Sequence, residues 1–171
     1  LEYSDLTPEK LFINFHDIGN KSVSVGELKM QNEDENGGTL KSTYGFTVDN
    51  YVESFENSVY INPFIKSVID LEITERQQPL QFDEKHKRGA IVTLLLDEGV
   101  TVKNAFPSTS LKENGLELDI TVTQDDNSIV IDYTFISDRF EMMPDEYEAL
   151  NTTLRKMKKL LKQSIELSYE K

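Results

Sequence analysis

The sequence contains no cysteine and no tryptophan among its 171 residues. The lack of cysteine excludes disulfides, thiolate metal sites and cysteine nucleophiles from this chain. No apolar run approaches the roughly 20 residues that a membrane-spanning helix needs, so we expect no membrane insertion. The sequence is therefore that of a globular chain whose core must form from aliphatic residues, phenylalanine and tyrosine.

Basic residues are also few, since 18 lysines and arginines face 31 acidic residues and the formal net charge is −13. A surface with this charge repels phosphate backbones and anionic lipid. We therefore expect no nucleic-acid partner. Solubility is the simplest interpretation of the acidic composition, and cation binding is the alternative.

Alternating apolar and polar residues give the clearest strand signal. Leu116 to Val122 alternates in this way, a turn follows at residues 124–127, and Ser128 to Ile136 alternates again, which predicts a hairpin. Residues 90–96 form a nearly continuous apolar run, which predicts a strand buried on both faces or at the centre of a sheet.

Shorter patterns predict further strands at residues 11–15, 22–30, 40–48, 59–61, 100–104 and 165–169. Two segments are ambiguous. Residues 49–57 could form a loop or a short helix, and residues 64–73 could form a helix or a strand.

One helix is predicted near the C-terminus, beginning at Pro144, where the missing N–H of proline costs nothing. Asp145 and Glu146 suit the first turn because of the helix dipole. The spacing of the apolar residues gives the helix one apolar face, which consists of Tyr147, Leu150, Leu154, Met157 and Leu161.

Many short strands with one helix predict a mainly β fold. We expect an antiparallel β-sandwich with one C-terminal amphipathic helix, and a jelly roll is one form that it could take. Residues 1–171 are predicted to form a single domain, in which a subdomain seam could fall near residues 70–79.

Catalytic and metal-binding patterns are weak. Asn32, Asp34 and Asn36 are calcium candidates because their oxygen side chains alternate before Gly37, but the expected twelfth-position acid is replaced by Thr43. His16 and His86 form no ligand cluster, and no serine has an evident partner base. We therefore predict no catalytic residue and no cofactor.

Aromatic residues are concentrated in the first half of the chain, at Tyr44, Phe46, Tyr51, Phe55 and Tyr60. Core packing is the ordinary role of such residues. Stacking on sugar rings is the alternative.

Several short motifs follow one another in a distinctive order, namely Asn62-Pro63-Phe64, Arg76 with Pro79, Pro107, Asn114-Gly115, and Pro144 with Tyr147. Over residues 59–171 this order resembles the non-catalytic C-terminal region of secreted bacterial transglutaminase-like (papain-like) multidomain proteins, a domain family of unknown function. One departure is Leu96-Asp97-Glu98-Gly99, where family members usually carry a proline. The resemblance implies a β-sandwich that follows a catalytic domain.

The resemblance also implies a function and a location. We expect a non-catalytic accessory domain of an exported transglutaminase- or protease-like protein, which packs on the upstream catalytic domain of the same polypeptide or contacts a protein substrate. The expected location is periplasmic or extracellular. The alternative is a carbohydrate-binding sandwich module with a glycan ligand, which could also use calcium.

Overall fold

The computed structural model describes residues 22–27, 29–32, 40–69, 71, 73, 77–82 and 85–169. The chain divides into two compact units, Leu1–Tyr51 and Val52–Lys171. The prediction of a single domain with a seam near residues 70–79 stays a prediction. Among the described residues, no helix is long and apolar enough to cross a membrane.

The described residues of the first unit form four short strands: β1 (Val23–Val25), β2 (Lys29–Asn32), β3 (Leu40–Thr43) and β4 (Phe46–Val48). They form two antiparallel pairs, β1 with β4 and β2 with β3. Each of the strands predicted at 22–30 and 40–48 is therefore two strands. The breaks face each other, because the Gly26 N–H donates to the Gly45 carbonyl at 2.8 Å. The strand predicted at 11–15 lies outside the described residues.

In the part of the second unit that the structure describes there are ten strands and the helix. Its strands are β5 (Glu53–Phe55), β6 (Ser58–Ile61), β7 (Leu80–Gln81), β8 (His86–Leu95), β9 (Val100–Asn104), β10 (Thr109–Glu113), β11 (Leu116–Asp125), β12 (Ser128–Ser137), β13 (Glu141–Met142) and β14 (Ile165–Tyr169). One four-stranded sheet has the order β10-β11-β12-β8, and the other has the order β5-β6-β14-β9. A two-stranded sheet pairs β7 with β13. The prediction of a mainly β, antiparallel sandwich with one C-terminal helix is confirmed, and its jelly-roll form stays a prediction.

The predicted hairpin is confirmed as β11 and β12, which pair antiparallel from Leu116↔Ser137 to Asp125↔Ser128. Alternate side chains of β12 are buried because the pleat turns them to one face of the sheet. The same alternation that is visible in the sequence therefore supplies the core face of this sheet.

The predicted helix is confirmed as a 3₁₀ turn at Pro144–Glu146 that leads into α1 (Tyr147–Leu160). Its buried face consists of Tyr147, Leu150, Thr153, Leu154 and Met157. Lys158 and Lys159 lie in the last turn, where positive charge complements the helix dipole.

Both four-stranded sheets and α1 contribute to one hydrophobic core, which includes Leu118, Tyr133, Leu150 and Ile165. The described residues between 62 and 73 also enter this core, although they form neither the helix nor the strand that we considered. Pro63 removes a backbone donor at the start of this segment, and Phe64, Val68, Ile69 and Ile73 are buried. Side-chain packing rather than a repeating backbone pattern fixes the segment.

Further elements differ from the sequence analysis, among them the short strands β7 and β13, which were not predicted. Residues 49–57, considered as a loop or a short helix, contain the short edge strand β5. The strand β10 was not predicted, and it forms the edge of its sheet beside β11.

Candidate functional site

Asn62 and Phe64 connect the irregular segment to the core and to the helix. The Asn62 side chain accepts the Phe64 N–H at 2.8 Å and donates to the Leu161 carbonyl at 3.3 Å. The Phe64 ring stacks on Phe106 at 5.2 Å and meets Tyr133 edge-on at 5.0 Å. The motif Asn62-Pro63-Phe64 thus lies at a junction between β6, the core and the end of α1.

Two more hydrogen bonds tie α1 to irregular chain, one to this segment and one to the residues just before β7. Asn151 donates to the Ile73 carbonyl at 3.1 Å, and the Tyr147 hydroxyl donates to the Gln78 carbonyl at 2.7 Å. Both helix residues are at least half-buried, so these bonds satisfy backbone carbonyls of irregular chain near the core. Tyr147 therefore contacts the chain just before β7 with its hydroxyl, and its ring is buried.

Tyr133 holds the same segment from the sheet side. Its hydroxyl donates to the Lys66 carbonyl at 3.1 Å and accepts the Lys66 N–H at 3.2 Å. Burial raises the pKa of the Tyr133 hydroxyl, since the phenolate would lose its hydration. The neutral hydroxyl serves as donor and acceptor to the backbone of one residue, Lys66.

Arg139 and Glu146 fix the start of the helix, and the sequence analysis did not predict their pairing. The Arg139 guanidinium donates to both Glu146 carboxylate oxygens at 2.6 Å, while Glu146 also accepts the Met143 N–H at 2.9 Å. The hydrogen bond from Arg139, followed by the bond from Met143, lowers the pKa of Glu146. Met143 precedes the helical turn, and Glu146 follows Met143 by three residues. This spacing is the sequence signal that could have indicated the contact between them.

The turn before β11 completes this corner of the molecule. Gly115 has φ +74°, and a Cβ there would lie 2.9 Å from Cγ of Arg139. The Asn114 side chain donates to the Thr153 hydroxyl of α1 at 2.9 Å, and the Asn114 carbonyl accepts from Arg139 at 3.3 Å. The motif Asn114-Gly115 therefore provides both a left-handed turn and a contact with the helix.

The prolines of the motif order occupy different environments. Pro79 and Pro107 are exposed, whereas Pro63 is buried and Pro144 is half-buried at the first position of the 3₁₀ turn. The location of Pro144 follows from its fixed φ and missing N–H, which suit the first position of a helical turn.

The remaining predicted site residues are only partly within the described chain. Asn32 ends β2 opposite Leu40 of β3. Asp34, Asn36 and Arg76 lie outside the described residues. Across the described ranges, no group of three or more His, Cys, Asp or Glu side chains could hold a metal ion.

The edge strand β8 is the clearest candidate for an interaction surface. Its run of apolar residues predicted a strand buried on both faces or at a sheet centre. That prediction is wrong, because among the strands that the structure describes β8 pairs only with β12 and forms an edge. Ile91 is 68% exposed and Leu95 is 82% exposed on the face that points away from the core. The C-terminal half of β8, residues 90–95, contains no charged side chain. Natural edge strands usually carry charge, proline or a bulge against pairing with other chains.

An open groove lies beside the end of β8. It has a volume of about 520 Å³, and its walls include Leu96, Val102, Asp125 and Asp126. Apolar and acidic side chains therefore stand together next to Leu95. A surface that fits this groove and the edge would combine apolar residues with positive charge.

Exposed aromatic rings occur in both units. Phe55 of β5 is 68% exposed. The Tyr169 hydroxyl donates at 3.1 Å to the carbonyl of Glu56, the residue that follows Phe55. In the first unit, Phe46 is exposed and its ring lies 6.3 Å from that of Tyr44. Tyr44, Phe46 and Phe55 belong to the aromatic group considered for sugar stacking, and its other two members, Tyr51 and Tyr60, are half-buried.

Comparison with known proteins gives one result. A family model described as a domain of unknown function with a solved structure (DUF3858) matches residues 57–167. No curated protein and no solved structure matches the chain. The matched region begins at the turn before β6 and ends within β14, so it contains β8, α1 and most of the core. The chain belongs to the DUF3858 family of domains of unknown function.

Proposed function

We propose that this chain is a non-catalytic accessory domain of an exported, periplasmic or extracellular, transglutaminase- or protease-like protein. In this proposal the outer face and free edge of β8 pack on the catalytic domain of the same polypeptide. Contact with a protein substrate of that enzyme is a second use of the same surface.

The order of motifs along residues 59–171 supports the link to such a parent protein. The family match covers nearly the same residues and is to a domain of unknown function. The chain has no cysteine, so the cysteine nucleophile of a transglutaminase-like site would be in another part of the parent polypeptide.

The observation that carries the proposal is the contrast between the sequence of β8 and its surroundings. The run from Ala90 to Leu96 has the composition of a covered strand, yet Ile91 and Leu95 are exposed. Covering one such side chain contributes about 1.5–3 kcal/mol. A partner that covers both residues and pairs with the strand edge would remove the exposed apolar surface and satisfy the outward backbone groups.

Calorimetry between this chain and the separately produced upstream region of the parent polypeptide tests the proposal. The chain should bind, and the double variant Ile91→Lys/Leu95→Lys should bind at least about a hundredfold more weakly, because buried unpaired charge at an interface is costly. The matched control is Val52→Lys/Phe55→Lys, which adds the same charge to exposed apolar residues elsewhere. This control should bind like the wild-type chain.

Three results would count against the proposal. Equal loss of affinity in both double variants would mean that added charge, not β8, matters. Self-association of the chain through β8, detected by sedimentation, would make a second copy the partner. Robust hydrolase activity of the isolated chain would contradict a non-catalytic role.

A carbohydrate-binding module is the second candidate, and the observation that favours it is the exposed ring of Phe55. Flat exposed rings can stack on the apolar face of a sugar. Thermal melting with a glycan panel, with and without calcium, tests this candidate, since a ligand at about a hundred times its dissociation constant adds about 2.7 kcal/mol of stability. The shift should disappear in Phe55→Ala. No shift with any glycan would remove this candidate.

A further inference from the structure

A partly enclosed cavity lies on the core side of β8, away from the exposed edge. It has a volume of about 220 Å³ and is lined by Leu71, Phe82, His86, Phe135 and Ser137. Three of these side chains are fully apolar, whereas His86 and Ser137 bring hydrogen-bonding atoms. The neighbouring strands β8 and β12 place His86 and Ser137 directly opposite each other in the antiparallel register.

The Ser137 hydroxyl is the unusual feature of this cavity. Ser137 is only 1% exposed, and its Oγ has no hydrogen-bond partner among the residues that the structure describes. Buried hydroxyls are ordinarily bonded to protein or to ordered water, because desolvating an unbonded one is unfavourable. A hydroxyl of this kind that faces a cavity is available to a molecule inside it.

The aromatic walls of the cavity are held in place. The Phe82 N–H donates to the Phe140 carbonyl at 2.8 Å. The Phe82 ring meets His86 edge-on, with centroids 5.2 Å apart and an interplanar angle of 86°. Phe135 is 1% exposed and is fixed within β12. An additional ring that entered the cavity would meet aromatic surfaces that favour edge-to-face and offset contacts.

One charged pair flanks the cavity. Lys85 and Asp138, the sequence neighbours of His86 and Ser137, form an ion pair with 3.0 Å between Nζ and Oδ1. A charged ligand would lose its hydration in this cavity and find no strong counter-charge among the lining residues that the structure describes. The cavity chemistry therefore suits a neutral molecule.

We infer that this cavity is a binding site for a small neutral aromatic molecule that carries one hydroxyl group. An apolar cavity of about 150 Å³ in another protein binds benzene, so the larger volume here accommodates one ring and a substituent. The cavity has two polar groups, Ser137 Oγ and the His86 imidazole. A ligand hydroxyl can donate a hydrogen bond to one of them and accept a hydrogen bond from the other. The ring would pack against Leu71, Phe82 and Phe135. This inference is independent of the proposed role of β8.

Phenol is the probe that tests the site, with benzene as the matched ligand that lacks the hydroxyl. Each is titrated into the full chain, and binding is followed by the NMR signals of residues that line the cavity. Phenol should saturate these signals and bind more tightly than benzene. Ser137→Ala should weaken phenol binding about fivefold and leave benzene binding unchanged, as expected for the loss of one hydrogen bond.

Two further variants keep the test decisive. Leu71→Trp should fill the cavity and abolish binding of both probes, and Ser110→Ala, on the outer face of the same sheet, should bind both like the wild-type chain. Ser137→Ala should melt at or above the wild-type temperature, because it removes a buried hydroxyl that lacks a protein partner. A lower melting temperature for Ser137→Ala would indicate that the Ser137 hydroxyl binds ordered water. The cavity would then be a site for water and not for a ligand, which overturns the inference. Equal affinities for phenol and benzene would also overturn it. So would a titration in which only the NMR signals of residues outside the cavity change.

Discussion

β12 and β8 are adjacent strands of equal length with opposite environments. β12 is central, and five of its ten residues are buried. β8 pairs with it over its whole length, yet none of its ten residues is buried. Ile131 of β12 is fully buried, whereas Ile91 of β8 is mostly exposed.

The comparison distinguishes the residues that stabilise this domain from the residues that are exposed to a partner. The buried apolar residues of β12 belong to the core to which α1 and the second sheet also contribute, so their removal should unfold the domain. The outward residues of β8 have the same chemical character but contribute little to that core. An exposed aliphatic residue on a stretch of edge strand without charge, such as residues 90–95, is better explained by binding than by folding.

The largest expected effect comes from placing charge in the core. Leu150→Asp should destabilise the domain by about 4 kcal/mol or more, because Leu150 is fully buried and an unpaired carboxylate there would be desolvated. Leu95→Asp on β8 should cost less than about 1 kcal/mol. Chemical denaturation measures both. An unchanged free energy of unfolding for Leu150→Asp would show that α1 does not dock as described.

A smaller effect should separate two isoleucines in the same sheet. Ile131→Ala should cost about 2–5 kcal/mol, since it leaves a cavity in the core, whereas Ile91→Ala should change the free energy of unfolding by less than about 0.5 kcal/mol. Urea denaturation of the two variants makes the comparison. Similar costs at both positions would mean that Ile91 is already covered within this chain.

The smallest effect concerns the ion pair that begins α1. Arg139 lowers the pKa of Glu146 below its ordinary value of 4.5, so the stabilisation from the Glu146 carboxylate is present above that pH and is lost as the pH falls through the lowered pKa. Glu146→Gln should therefore melt below the wild-type chain at pH 7, and this gap should shrink as the pH falls below about 4.5.

Asp145→Asn is the matched control for this pH series, because it removes the same charge from the same turn. It should show a weaker dependence of the gap on pH. A gap for Glu146→Gln that stays constant from pH 7 to pH 3 would contradict the assigned role of the pair.

Regular periodicity allowed much of the fold to be predicted. The β11–β12 hairpin and α1 follow from alternation and from apolar spacing, and both reflect burial of one face of an element. The segment after Asn62 could not be predicted in this way, because its structure depends on distant partners such as Tyr133 and Leu161. Local propensity contains no information about these contacts.

The candidate surfaces show a second limit of sequence reasoning. Hydrophobic composition indicates that a strand is suited to burial, but it does not say whether the covering surface belongs to the same chain. For that reason the apolar run of β8 was predicted to be buried on both faces or to lie at a sheet centre. Ser137 and His86 are likewise distant in sequence, and only the strand register brings them to one cavity. No local motif indicates such a pair.

Hydrogen exchange of the β8 amides, in the chain alone and with the upstream region of the parent polypeptide added, tests the central claim most directly. If β8 is the surface that this region covers, exchange across His86–Leu95 should slow by at least about tenfold, since outward amides gain partners and solvent is excluded. The opposite edge of the same sheet, β10, should exchange at an unchanged rate. Unchanged exchange in β8, or protection at β10 instead, would contradict the account.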